Sequence, residues 1–144
     1  MLLLSTCMVQ EGQFSSEQRT ALEAALKDVV KKRVGSKAML AVAWRPVPKG
    51  SGYSAGKPST SSLVQLSVPD GFSQASREEI MRDVNGRWCA ITGQTPYQLM
   101  VSVPDQSAAR KLLKGMLAEV PLSQKPGLIV DHLKQLARSV AMGR

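Results

Sequence analysis

The chain has 144 residues, 43% of them hydrophobic, 21% charged and 4% aromatic, with 19 Lys and Arg against 11 Asp and Glu. That is enough apolar material for one domain with its own core, and it excludes an intrinsically disordered chain. No apolar run approaches the roughly 18 residues of a membrane span. The net charge of +8 suits anionic partners, whether a small carboxylate, a phosphate, nucleic acid or an acidic surface, and selects none of them.

Leu2 to Val9 is short and apolar and ends at the turn-prone Gln10-Glu11-Gly12, the pattern of a buried strand. Met1-Leu2-Leu3-Leu4 lacks the preceding cation of a signal peptide, and polar residues from Gln10 cut the run short, so a cytoplasmic protein is expected. Ser15 or Ser16 can cap a helix whose apolar face is Leu22, Ala25, Leu26, Val29 and Val30. Lys31, Lys32 and Arg33 fall in its last turn, where cations complement the helix dipole, and Gly35 closes it. Met39 to Trp44 is a second strand, ended by Pro46 and Pro48. A helical crossover between the two strands makes them parallel.

Residues 47–60 form a loop or hairpin rich in Gly, Ser, Pro and Lys, after which the pattern restarts. Leu63 to Val68 is a strand, Ser73 or Ser76 opens a helix running through Ile80, Val84 and Trp88 to Gly93, and Gln98 to Val103 is a strand ended by Pro104. The shift that carries Phe14 onto Phe72 also carries Ser15 onto Ser73, Arg19 onto Arg77, Gly35 onto Gly93 and Pro46 onto Pro104. These identities fall at the punctuation of two separately predicted units, which points to an internal repeat. The expected fold class is α+β: two tandem β-α-β units (1–46 and 61–104) making a four-stranded sheet with both helices on one face.

Residues 105–144 read as a C-terminal extension of two helices. One stripe is Ala109, Leu112, Leu113, Met116, Leu117 and Val120; the other is Ile129, Leu133, Leu136, Val140 and Ala141, with Pro121 and Pro126-Gly127 between them. Lys and Arg occupy the opposite faces. Such helices cover the sheet or make a subunit contact; nucleic-acid or membrane-surface binding is the weaker expectation.

Familiar chemical motifs are few. Cys7 and Cys89 are too few for a disulfide framework or metal cluster, and read as inert core thiols. Gly50-Ser-Gly52 with Gly56-Lys57-Pro58 lacks the register of a phosphate loop, and no HExxH, CxxC or acidic cluster offers a metal site. No cofactor is expected. Trp44 and Trp88 lie on apolar faces and read as core.

The opening strand, Gln-Glu-Gly-x-Phe-Ser and amphipathic helix, with the Pro- and Gly-rich stretch from Arg45 to Pro58, resemble the tautomerase superfamily. The duplicated unit is similar to its longer members, the relatives of cis-3-chloroacrylate dehalogenase and malonate semialdehyde decarboxylase. The resemblance covers residues 1 to about 104. It implies a homotrimer built around an amino-terminal proline, a secondary amine able to move protons near neutral pH, with arginines holding a substrate carboxylate. Aligned on Gly12 and on Lys49-Gly50, the family's proline falls on Leu3, and no proline precedes Pro46. Its arginines fall on Gln13 and Ala41, its hairpin aromatic on Gly52 beside Tyr53, the third-strand arginine pair on Pro69 and Phe72, and the dehalogenase histidine on Val30.

Replacement residues are available. The primary amine of Met1 is an adequate base, and the bulk of Leu2 is expected to keep Met1 in place. Arg45, Lys49 and Lys57 are candidates to bind a carboxylate, and Tyr53 to donate a hydrogen bond to an enolate. His132 stands beside Asp131, but neighbours on a helix face different ways, so that pair is not expected to act as one. Two readings follow: a tautomerase-like protein lacking the proline, with weak or altered activity on small enol or keto acids or binding alone; or a non-enzymatic trimeric module whose basic helices and Lys31-Lys32-Arg33 bind an anionic macromolecule or a protein.

Overall fold

A computed structural model describes residues 1–142. Strand β1 (Leu2–Gln10) buries Leu3, Ser5, Cys7 and Val9 on one face, as the two-residue period of a strand requires. Helix α1 (Ser16–Arg33) starts at Ser15, whose hydroxyl accepts from the Gln18 N–H while the Gln18 side chain accepts from the Ser15 N–H. This reciprocal cap settles the Ser15/Ser16 choice. Its buried residues Leu22, Leu26, Val29 and Val30 form the predicted stripe. Beyond the helix, Gly35 adopts φ +143°, and its N–H bonds back to the Val30 carbonyl.

Strand β2 (Met39–Val47) runs parallel to β1, from Leu2 opposite Met39 to Gln10 opposite Val47. A two-residue turn at Ala55-Gly56, both with positive φ, joins the short strands β3 (Tyr53–Ser54) and β4 (Lys57–Pro58). Then β5 (Ser62–Leu66), α2 (Gln74–Thr92), a single 3-10 turn at Pro96–Gln98 and β6 (Leu99–Ser102) repeat the first unit. Ser73 caps α2, and Gly93 ends it in the left-handed conformation at φ 74°. Strands β5 and β6 are parallel, whereas β1 and β5 meet antiparallel, Ser5 opposite Leu66 and Met8 opposite Leu63. The sheet order is β2-β1-β5-β6, two parallel pairs placed back to back.

Helices α1 and α2 pack side by side on one face over Leu3, Cys7, Leu40, Val42, Val64 and Leu66, with Trp88 the largest fully buried side chain. The Cys7 thiol is buried, which pushes its pKa up to about 12 and leaves it inert. Trp44 is only half-buried; its ring lies 6.1 Å from that of Trp88. Arg33 pairs with Asp83 (2.8 Å) and Glu79 (2.6 Å) on α2, so the Lys31-Lys32-Arg33 patch is partly neutralised within the fold. Its hydrogen bond with Arg33 holds the Asp83 carboxyl below the usual range. A carboxyl with a lower pKa folded than unfolded contributes stability above the unfolded value, lost as pH falls through the folded one. In acid titrations followed by denaturant unfolding, Asp83→Asn is therefore expected to flatten the fall in stability below about pH 4.

The extension is α3 (Gln106–Ala118) and α4 (Lys125–Ala141). Pro126 lies in the first turn of α4 and does not separate the helices, since the missing N–H has no partner there anyway. The start of α3 is held down: the Ser107 N–H donates to Asp70 at 3.0 Å, and the Gln106 N–H donates to the Val68 carbonyl. The remainder of α3 buries no residue, whereas α4 packs along β2. Among the described residues no helix is long and apolar enough to cross a membrane.

Candidate functional site

Alternation fixes which residues reach the sheet face opposite α1 and α2, where α4 covers part of β2. On β1 they are Leu2, Leu4, Thr6 and Met8; on β2 they are Met39, Ala41, Ala43 and Arg45. Met1 lies at one end, where its carbonyl accepts from the Met39 N–H. Leu3 points the other way, into the core, with 0% exposure. Ala41 is also buried, and Gln13 is used locally, its side chain accepting from the Gln10 N–H and donating to the Thr60 carbonyl.

The other candidates stand at the far end of the sheet. Arg45 is opposite Met8, six residues along β1 from Leu2, so about 20 Å of strand separates it from the Met1 end. Lys49 lies in the loop after β2, and Tyr53 and Lys57 in the β3–β4 hairpin, all exposed. Gly52 has no room for a side chain: a Cβ there would lie 2.2 Å from the Ser59 carbonyl oxygen, whose residue donates its own N–H to the Gly52 carbonyl. The aromatic ring of this hairpin thus belongs to Tyr53, which points into solvent at 72% exposure. Within one chain, Arg45, Lys49, Tyr53 and Lys57 share an end of the fold, and Met1 does not join them.

Arg45 has acquired an unforeseen partner. Its Nη2 lies 2.7 Å from His132 Nδ1 on α4. A guanidinium only donates, so Nδ1 accepts and the imidazole proton sits on Nε2. Burial, then the Arg45 charge, holds the His132 pKa below its ordinary value, so the ring is neutral at pH 7. No carboxylate among the described residues pairs with Arg45. The two residues stand at one side of a cavity of about 340 Å³ between α3 and α4, otherwise lined by Leu, Met, Val and Ile. Asp131 takes no part. The pairing spans 87 positions, and no spacing rule of a single chain reports it.

A second polar cluster ties α4 to the sheet edge. Ser139 Oγ accepts from the Val42 N–H at 2.8 Å, and Gln135 Oε1 from the Trp44 N–H at 3.1 Å. One helical turn and two strand residues both advance about 6 Å, so side chains four apart on α4 satisfy alternate edge donors of β2. Glu23 accepts from Trp44 Nε1 and from the Ser139 hydroxyl, and pairs with Lys27 at 3.7 Å. Arg19 lies over the Trp44 ring, 5.5 Å from its centroid, with its Nε buried and unpartnered among the described residues. The polar pair Gln135/Ser139 beside an otherwise apolar stripe was the available signal for this contact.

No protein-family model matches the chain, and no curated protein does. Among solved structures it is similar to native Ps01740, at 25% identity and a TM-score of 0.64 over 71% of this chain and 92% of that one. It is also similar to the wild-type fused 4-OT symmetric trimer Q0 (19%, TM-score 0.63, over 71% and 84%). A third is N1, a member of the cis-3-chloroacrylic acid dehalogenase family (13%, TM-score 0.62, over 87% and 97%). These are tautomerase-superfamily structures, and this chain has their fold. The expected sheet of tandem β-α-β units with added C-terminal helices is the one observed.

Proposed function

We propose that this is a homotrimeric protein of tautomerase fold that binds small enol or keto acids and acts on them weakly or in altered fashion, without the proline. One observation carries the reading: Arg45, half-buried on the face opposite α1 and α2, is a cation without an acidic partner among the described residues, at the same end as Lys49, Lys57 and Tyr53. A carboxylate fits that need. The address that the resemblance gives to the proline is Leu3, sealed in the core, so the base falls to the Met1 amine. Met1 lies at the opposite end of its own chain, and the hairpin it works with then belongs to a neighbouring subunit.

The trimer is supported by the open face itself. Leu2, Met8, Met39 and Met100 are 40–66% exposed there, apolar surface that a subunit contact would remove from water. The fused 4-OT neighbour is a trimer.

Ketonisation of phenylenolpyruvate and 2-hydroxymuconate, followed by ultraviolet absorbance on protein whose mass retains Met1, tests the activity. Expected is turnover above buffer that N-terminal acetylation abolishes, with KM raised in Arg45→Met. No turnover from folded trimer overturns the catalytic part. A second reading, a module binding an anionic macromolecule, is favoured by α3, which has no fully buried residue and exposes Arg110, Lys111 and Lys114. Such binding falls steeply with salt.

A further inference from the structure

We propose that the cavity between α3 and α4 binds a monocarboxylate with an apolar tail, its carboxylate taken by Arg45 and His132 and its tail by Leu113, Leu117, Val120 and Ile129. The inference rests on the reading of Arg45 as an anion anchor, and it adds a ligand class and a site that need no turnover. The cavity, about 340 Å³, is at the small end of the range that holds small organic molecules. Its polarity is one-sided: among the described residues, Arg45 and His132 are its only polar lining residues. An inorganic anion would satisfy Arg45 and leave the apolar walls against water. A hydrocarbon would fill the walls and leave a half-buried guanidinium without a counter-charge, which is costly. An amphipathic carboxylate does both.

The hydrogen bond between the two side chains prepares the site. With Nδ1 accepting from Arg45, the imidazole presents Nε2–H as a donor, and no carboxylate among the described residues takes the remaining guanidinium N–H groups. The charged group acting on His132 is Arg45. An arriving carboxylate offsets that charge and favours protonation of the ring, which then releases Arg45 and adds a second cation. Binding therefore takes up protons, and affinity rises as pH falls from about 8 to about 6.

The test is calorimetric titration of the full chain with octanoate, acetate and inorganic phosphate at about pH 6 and about pH 8. Octanoate is expected to bind with an affinity about tenfold or more above that of acetate or phosphate, tighter at the lower pH, and to lose about tenfold in Arg45→Met. His132→Gln, neutral at both pH values, should keep weaker binding and lose its pH dependence. Equal affinity for octanoate and phosphate would reduce the site to a surface cation. Octanoate binding unchanged in a folded Arg45→Met protein, no binding by any probe, or binding only as the oligomer dissociates would each overturn the proposal. Ketonisation measured on the same protein keeps the two readings apart. Octanoate binding without turnover sinks the catalytic reading alone, and turnover without octanoate binding sinks the cavity alone.

Discussion

Replacing Trp88 by alanine is expected to destabilise the chain by about 3–5 kcal/mol, a large share of the roughly 5–15 kcal/mol that holds a domain folded. Trp88 is 1% exposed and lies where the two helices meet the sheet, edge-on to Phe14 at 6.0 Å and tilted against Trp44 at 6.1 Å. Its Nε1–H donates at 2.8 Å to Gln94 Oε1. Gln94 is itself buried; its Oε1 also accepts from the Ser62 hydroxyl, and its Nε2 donates to the Thr60 carbonyl. The alanine variant leaves a cavity among side chains fixed to three different elements, with little freedom to collapse. Trp88→Phe keeps most of the volume, and Gln94 Oε1 keeps the Ser62 donor, so its cost should be smaller, about 1–2 kcal/mol. Urea unfolding followed by circular dichroism separates the two. Equal small losses for both would mean that the site repacks, and that the ring is not the keystone of this core.

The elements that sequence order reveals are those whose physics is local. The apolar stripe of α1 follows from the 3.6-residue period, its start from the Ser15 hydroxyl three residues before the Gln18 N–H, and its end from the backbone freedom of Gly35. The repeat carried the second unit with it, because Phe14/Phe72 and Gly35/Gly93 mark the same turns in both. It left open which edges of the two units meet. The antiparallel seam of β1 and β5 depends on residues about sixty apart, and apolar alternation suits either edge. The candidate site was legible only in part. Arg45 stood out as a cation at a strand end, but His132 reaches it across most of the chain, and the helix that carries it lies on β2 through Ser139 and Gln135. Gly52 is the clearest case of a role that sequence cannot report. Its need for glycine comes from the Ser59 carbonyl that the hairpin brings within 2.2 Å of where a Cβ would stand.

The repeat also supplies a paired experiment, because equivalent arginines have taken different work. Arg77 Nε donates to the Phe72 carbonyl at 3.2 Å, Nη1 to the Val103 carbonyl at 2.6 Å, and Nη2 to Asp105, the residue that opens α3. Arg19 occupies the same place in the first unit, and its guanidinium instead stacks on Trp44, with Nε unpartnered among the described residues. The difference follows from what comes after each second strand. Past β6 the chain turns at once into α3, and Arg77 ties that corner to the start of α2; past β2 it leaves for the hairpin, and the Val47 carbonyl is taken by the Glu11 N–H. Arg77→Ala strands two carbonyls and a carboxylate, and is expected to cost about 2–4 kcal/mol and to loosen α3. Arg19→Ala loses a stacked cation and should cost about 1 kcal/mol or less. Native-state hydrogen exchange checks both parts: protection should drop through residues 106–118 in the Arg77 variant and stay unchanged there in the Arg19 variant. Equal effects of the two substitutions on stability would mean that the divergence of the halves is cosmetic, and that the corner at Asp105 is held by Asp70, Val68 and the Gln106–Leu2 hydrogen bond without Arg77.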